Sequence, residues 1–158
     1  MVISTIIAKH HIGRILVENG SLVYLIYWNC FEHMSIAHNQ LKRVSLHLYN
    51  FTRETISVVG SIRLPIIMGF KPQNVTRQTN FMVVKTTSFA YNAILGRPLL
   101  NDVRAIVSSC YLLVKFPTPS GIGQVQGDQR QVHTCYVLST KGKKSKETSA
   151  IAKQTAQD

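Results

Sequence analysis

Short apolar runs, each cut off by a turn residue, limit what this chain can become. Stretches rich in Val, Ile, Leu, Tyr and Phe recur along its length, separated by Gly, Pro or Asn. The longest uninterrupted apolar run, Leu22 to Trp28, is far too short to span a membrane. This pattern predicts strands at 2–8, 13–18, 44–49, 56–59, 61–68, 81–85, 104–107 and 110–116, the spacing of an all-β barrel or sandwich. Gly60, Gly69-Phe70-Lys71-Pro72 and Pro117-Thr118-Pro119-Ser120-Gly121 supply turns. Two stretches read as short helices. Residues 24–34 place apolar side chains at 24, 25, 27, 28, 31 and 34, close to a 3.6-residue period. Residues 98–103 open on Pro98, which suits a first helical turn.

A chain of 158 residues makes one domain, and its apolar fraction of 45% fits a folded protein rather than a disordered one. The hydrophobic pattern fades after about residue 125, and 139–158 carry Lys, Ser, Thr, Ala and Gln with a single Ile. The expected organisation is a folded domain over 1–138 and a basic flexible tail over 139–158. Lys and Arg number 18 against 7 acids, a net charge of +11 that suits nucleic acid or an acidic partner. Most of the cations are scattered singly. Lys141, Lys143, Lys144, Lys146 and Lys153 cluster in the tail, where weak RNA binding by phosphate attraction is the expectation.

The acids are placed unusually. The first Asp is Asp102, and before it only Glu18, Glu32 and Glu54 are acidic. A mechanism that needs two carboxylates from the first hundred residues of one copy must choose among those three. Cys30, Cys110 and Cys135 form no CxxC and no zinc-like spacing, so they read as reduced thiols, with no metal and no cofactor expected. The start of the chain lacks the basic region of a secretory signal, so an intracellular, cytoplasmic location without a membrane anchor is the expectation.

Four stretches carry the chemistry. The first is Arg14-Ile15-Leu16-Val17-Glu18-Asn19-Gly20-Ser21, an apolar strand running into an acid, a glycine and a hydroxyl. The second is Leu48-Tyr49-Asn50-Phe51-Thr52 with Gly60-Ser61-Ile62-Arg63-Leu64-Pro65-Ile66, two strands around a polar tip. The third is Ala90-Tyr91-Asn92-Ala93-Ile94-Leu95-Gly96-Arg97-Pro98, in which a glycine ends an apolar pair and Arg-Pro opens a helix. The fourth runs from Lys115-Phe116-Pro117-Thr118-Pro119 to Gly127-Asp128-Gln129-Arg130. Together, over residues 2–138, they resemble the retropepsin-like aspartic protease region of gypsy-type long-terminal-repeat retrotransposon polyproteins, particularly those of plants.

The resemblance implies a small closed β-barrel that pairs with a second copy. Each copy of the family contributes one Asp from an Asp-x-Gly turn, and the two carboxylates share a proton because like charges at that distance cannot both ionise easily. The pair activates a water against the peptide carbonyl while a hairpin flap covers the substrate. Carried onto this chain, Glu18 stands at the catalytic Asp position, Asn19 at the position usually held by Thr or Ser, and Gly20 at the motif glycine. Tyr49, Asn50 and Phe51 stand at the substrate-binding flap, where Asn50 replaces a usual glycine. Ile94, Leu95, Gly96 and Arg97 match the segment that supports the catalytic turn. The implied partners are a second copy and a peptide or polyprotein segment.

Glu is one methylene longer than Asp, and a misplacement near 1 Å costs on the order of a hundredfold in rate. The expected protein is an aspartic endopeptidase-like domain with little or no activity. Three readings of Glu18 stay open: a solvent-facing turn residue in a decayed copy, a weak glutamate pair, and a peptide groove without catalysis. A non-catalytic nucleic-acid-binding module and a genomic relic are the competing functional classes. Met1 standing directly at a strand start, with no polymerase or integrase region beside it, favours an excised fragment.

Overall fold

The computed structural model describes residues 1–49, 55–86 and 90–141. Strands β1 (Val2–Ile7) and β2 (His10–Glu18) form the first hairpin. Its turn residues, Ala8 and Lys9, have φ of 47° and 68°, the doubly left-handed geometry that matches strand twist. β3 (Leu25–Tyr27) runs straight into helix α1 (Trp28–His33). β4 (Leu48–Tyr49) pairs with the start of β5 (Thr55–Phe70), which forms a long hairpin with β6 (Gln73–Lys85). β7 (Ala93–Gly96) leads into α2 (Arg97–Asp102). β8 (Ile106–Ser108), β9 (Leu113–Thr118) and β10 (Gly121–Gln126) make a second, three-stranded sheet. A last helix, α3, covers 129–141.

The main sheet runs β1-β2-β7-β3-β6-β5-β4. Ile6 and Ile7 of β1 pair with Ile67 and Ile66 of β5, which closes six of these strands into a barrel. The Thr5 hydroxyl donates to the Ile67 carbonyl across that seam, satisfying a buried polar group. Ile3, Ile15, Ile26, Phe81, Val83 and Leu95 fill the interior and are fully buried. Each such side chain contributes about 1.5–3 kcal/mol by leaving water. The second sheet packs Val114, Phe116 and Val125 onto this core while Lys115 and Pro117 face outward.

The expected all-β closed barrel is what the chain forms, but several elements differ from their sequence reading. The helix expected over 24–34 is a strand for its first part: Leu25 and Ile26 are paired on both sides, with β6 and with β7, and are buried. The runs 56–59 and 61–68 are one strand, interrupted by a register shift between Val58 and Gly60. The strand expected over 44–49 shrinks to Leu48–Tyr49. The polar first part of β6 turns few side chains inward, Val75 and Thr79 among them, so it carries little apolar signal.

Helix α3 was not expected either, because its buried side rests largely on Cys135, packed with Val2 and Ala90. Asp128 caps it: its Oδ1 accepts from the backbone N–H of Arg130 at 2.9 Å and of Gln131 at 3.3 Å. The Gln131 side chain then ties the helix to the first hairpin. Its Oε1 accepts from the Arg14 backbone N–H at 2.6 Å, and its Nε2 donates to Ser4 Oγ at 3.0 Å. Asp128→Ala is expected to cost about 1 kcal/mol, read from the urea midpoint. An unchanged midpoint would mean that the cap does not hold α3 in solution.

Candidate active site

The candidate site lies where β2 ends. β7 runs parallel to β2, with Leu16 opposite Ile94, Val17 opposite Leu95 and Glu18 opposite Gly96. On its other edge β7 runs antiparallel to β3, with Leu25 opposite Ile94. The segment from Glu18 to Val23 therefore crosses over the end of a strand inserted between its own two neighbours. That crossing leaves no room at Gly96. A Cβ there would stand 2.6 Å from the Ser21 carbonyl oxygen and 2.7 Å from that of Val23.

Hydrogen bonds hold the crossing in shape. The Arg97 N–H donates to the Ser21 carbonyl at 2.8 Å, and the Ser21 N–H to the Glu18 carbonyl at 3.4 Å. The Ser21 hydroxyl donates to the Val23 carbonyl at 3.0 Å and accepts the Val23 N–H at 3.3 Å. Glu18 is half-buried, with its Oε1 4.0 Å from where a Cβ on Gly20 would sit. Asn19 and Gly20 are exposed at the turn.

Glu18 opens into a cleft of about 550 Å³. Leu16, Leu25, Ile94, Tyr27 and Tyr91 line its barrel side, and Leu48, Tyr49 and Ile56 of the β4–β5 arm line it too. Among its described lining residues Glu18 is the one carboxylate. Burial, then Tyr91 and then Glu18, raises the Tyr27 phenol above its ordinary range. Burial, then Cys135 and then Glu18, does the same to Tyr91. Both phenols are therefore neutral hydroxyls beside the acid at physiological pH.

The structure thus brings Glu18, Gly20, Tyr49 and Ile94 to one cleft, with Gly96 beneath the turn. Leu95 points into the core, and the Arg97 side chain is exposed. Asn50 and Phe51 lie outside the described residues. Tyr27 and Tyr91 are cleft residues that sequence reading left unassigned. Tyr27 reads as core, and Tyr91 as part of the run before Gly96.

No second acid of the same chain reaches the cleft among the described residues. Glu32 is exposed on α1, Asp102 pairs with Arg77 at 2.7 Å, and Asp128 caps α3. The described residues hold no group of three or more His, Cys, Asp or Glu that could bind a metal. Cys30, Cys110 and Cys135 are free thiols, and burial pushes Cys30 up to about 11. No described helix is long and apolar enough to cross a membrane.

No protein-family model matches the chain, and no curated protein matches it. Solved structures do. The retroviral protease-like domain of Ddi1 from Leishmania major superposes with a TM-score of 0.57 at 12% identity, over 82% of this chain and 96% of that one. The EIAV protease in complex with an inhibitor gives a TM-score of 0.47 at 14% identity, over 68% and 91%. A retropepsin-like aspartic protease from Rickettsia conorii gives 0.45 at 12%, over 78% and 79%. At such identities the first likeness establishes the fold, the retropepsin-type barrel, and nothing finer.

Proposed function

We propose that this chain is a peptide-binding retropepsin-like domain, derived from a gypsy-type retrotransposon polyprotein, in which Glu18 leaves little or no peptidase activity. One observation carries the peptide-binding part of the reading; the retrotransposon origin rests on the sequence resemblance alone. The inserted strand β7 sets a single carboxylate, Glu18, in an apolar cleft that the β4–β5 arm also lines. An extended peptide could lay apolar side chains against Leu25, Ile56 and Ile94 there.

Hydrolysis by a shared-proton carboxylate pair needs a second acid, and the cleft of one chain supplies none among its described residues. A homodimer would bring a second Glu18. Two glutamates each reach about a bond length further than two aspartates, so the pair is misplaced for the water it must activate. Asn19 adds a second departure, since its amide does not donate and accept at one atom as a hydroxyl does. Residues 1–138 form the domain in this reading and 139–158 its basic extension, although α3 runs to residue 141.

Incubating the purified chain with a broad peptide library at pH 4–6, with sedimentation in parallel, tests the proposal. Peptide retention without turnover is the expected result. Robust, pepstatin-sensitive cleavage that disappears in Glu18→Ala would sink it.

A further inference from the structure

A second cavity lies behind the cleft. It measures about 240 Å³, about eight waters' worth of space. It shares Tyr27 and Tyr91 with the cleft, so those two side chains form the partition, and Glu18 lines only the cleft side. Among the described residues, the charged groups lining this cavity are both cations, Arg14 and Lys85.

Both cations are held rather than loose. Lys85 Nζ sits 4.6 Å from the centroid of the Trp28 ring, which also lines the cavity. Arg14 is fixed through its backbone and its side chain. Its φ is 50°, a left-handed conformation that a non-glycine residue adopts only when its surroundings impose it. Gln131 accepts from the Arg14 N–H, and the Asn92 N–H donates to the Arg14 carbonyl at 2.9 Å. The Arg14 Nη2 donates to Asn92 Oδ1 at 3.3 Å, and Asn92 Nδ2 donates in turn to the Gly13 carbonyl at 2.9 Å. The same Arg14 and Asn92 also line the adjoining depression, where His10, His11 and His33 stand and where no acid lines the wall among the described residues.

We propose that the cavity between Arg14 and Lys85 is a binding site for a small phosphomonoester, with the dianion between the two cations and its organic group against Trp28 and the tyrosine partition. Two positive charges match a phosphate dianion better than a carboxylate. A guanidinium offers paired donors of phosphate geometry, and an ammonium offers a point charge. The apolar faces of Trp28, Tyr27 and Tyr91 favour an ester over the bare ion. This inference does not depend on whether the Glu18 cleft binds peptide.

Trp28 is the chain's single tryptophan, so its fluorescence reports on this wall alone. Phenyl phosphate titrated into the full chain at low ionic strength is expected to change that fluorescence saturably, with matching heat in calorimetry. Phenol is expected to do neither. Lys85→Gln and Arg14→Gln should each weaken phenyl phosphate by about tenfold or more, the scale of losing one charged hydrogen bond. Calorimetry reads the Lys85 variant, since that substitution alters the Trp28 surroundings directly. Lys85 is exposed, so its variant decides the matter if the Arg14 variant does not fold. Absence of saturable binding, an equal response to phenol, or an affinity unchanged in either folded variant overturns the proposal.

Discussion

Gly96→Ala is expected to cost about 3 kcal/mol or more and to leave little folded protein at ordinary growth temperature. The added methyl would sit 2.6 Å and 2.7 Å from two carbonyl oxygens, and both belong to backbone. Neither can swing aside as a side chain would. The Ser21 carbonyl is tied to the Arg97 N–H and the Val23 carbonyl to the Ser21 hydroxyl, so relief means unpicking the crossing itself. Gly20→Ala is the matched control. Among the described residues its methyl would meet nothing nearer than Glu18 Oε1 at 4.0 Å, and its expected cost is below about 1 kcal/mol. Urea melts of the two variants settle the point. A Gly96 variant as stable as the Gly20 variant would mean that the crossing is looser in solution than its hydrogen bonds imply.

Glu18→Asp is expected to raise peptide cleavage by about a hundredfold over the parent chain, the scale attached to a misplacement near 1 Å at a reacting centre. The substitution withdraws one methylene and leaves the turn, the glycine and the supporting strand as they are. Adding Asn19→Thr restores a hydroxyl beside the acid and is expected to raise the rate further. Initial rates at pH 4–6, measured on protein shown by sedimentation to be dimeric, provide the check. No gain in a dimeric double variant would count against the Glu18 turn as a catalytic position and favour a groove that only binds.

The parts legible in the sequence are those whose signal is local. The strand over 2–8 appears as Val2–Ile7, because a nearly unbroken run of β-branched residues announces it. The helix over 98–103 appears as Arg97–Asp102, because Gly96 and Pro98 mark its start within a few residues. The illegible parts depend on partners far away. Ala93–Gly96 has no alternation of its own and becomes a strand because β2 and β3 flank it. Leu25 and Ile26 share the helical period of residues 24–34, yet pairing on both edges overrides it. Helix α3 docks through Gln131 and Cys135 rather than through an apolar stripe. At the site, Glu18 and Gly20 could be singled out from the turn they form. Tyr27 and Tyr91 could not, since only the insertion of β7 between β2 and β3 brings those rings beside Glu18, and no local pattern around either tyrosine announces it.

The insertion of β7 also sets the order in which this molecule can be built. Ile15 must wait for Ala93, so the wall that carries Glu18 has no second edge until most of the barrel has been synthesised. The β5–β6 arm needs no such wait, because its two strands are neighbours in the chain and zip from Phe70 and Gln73. Folding should therefore start at that arm and finish at the cleft, with the slow step set by a contact of long sequence separation. Until then the Leu16 and Leu25 side chains that later line the cleft are exposed, and an emerging chain is most vulnerable to aggregation at the surface it will eventually use.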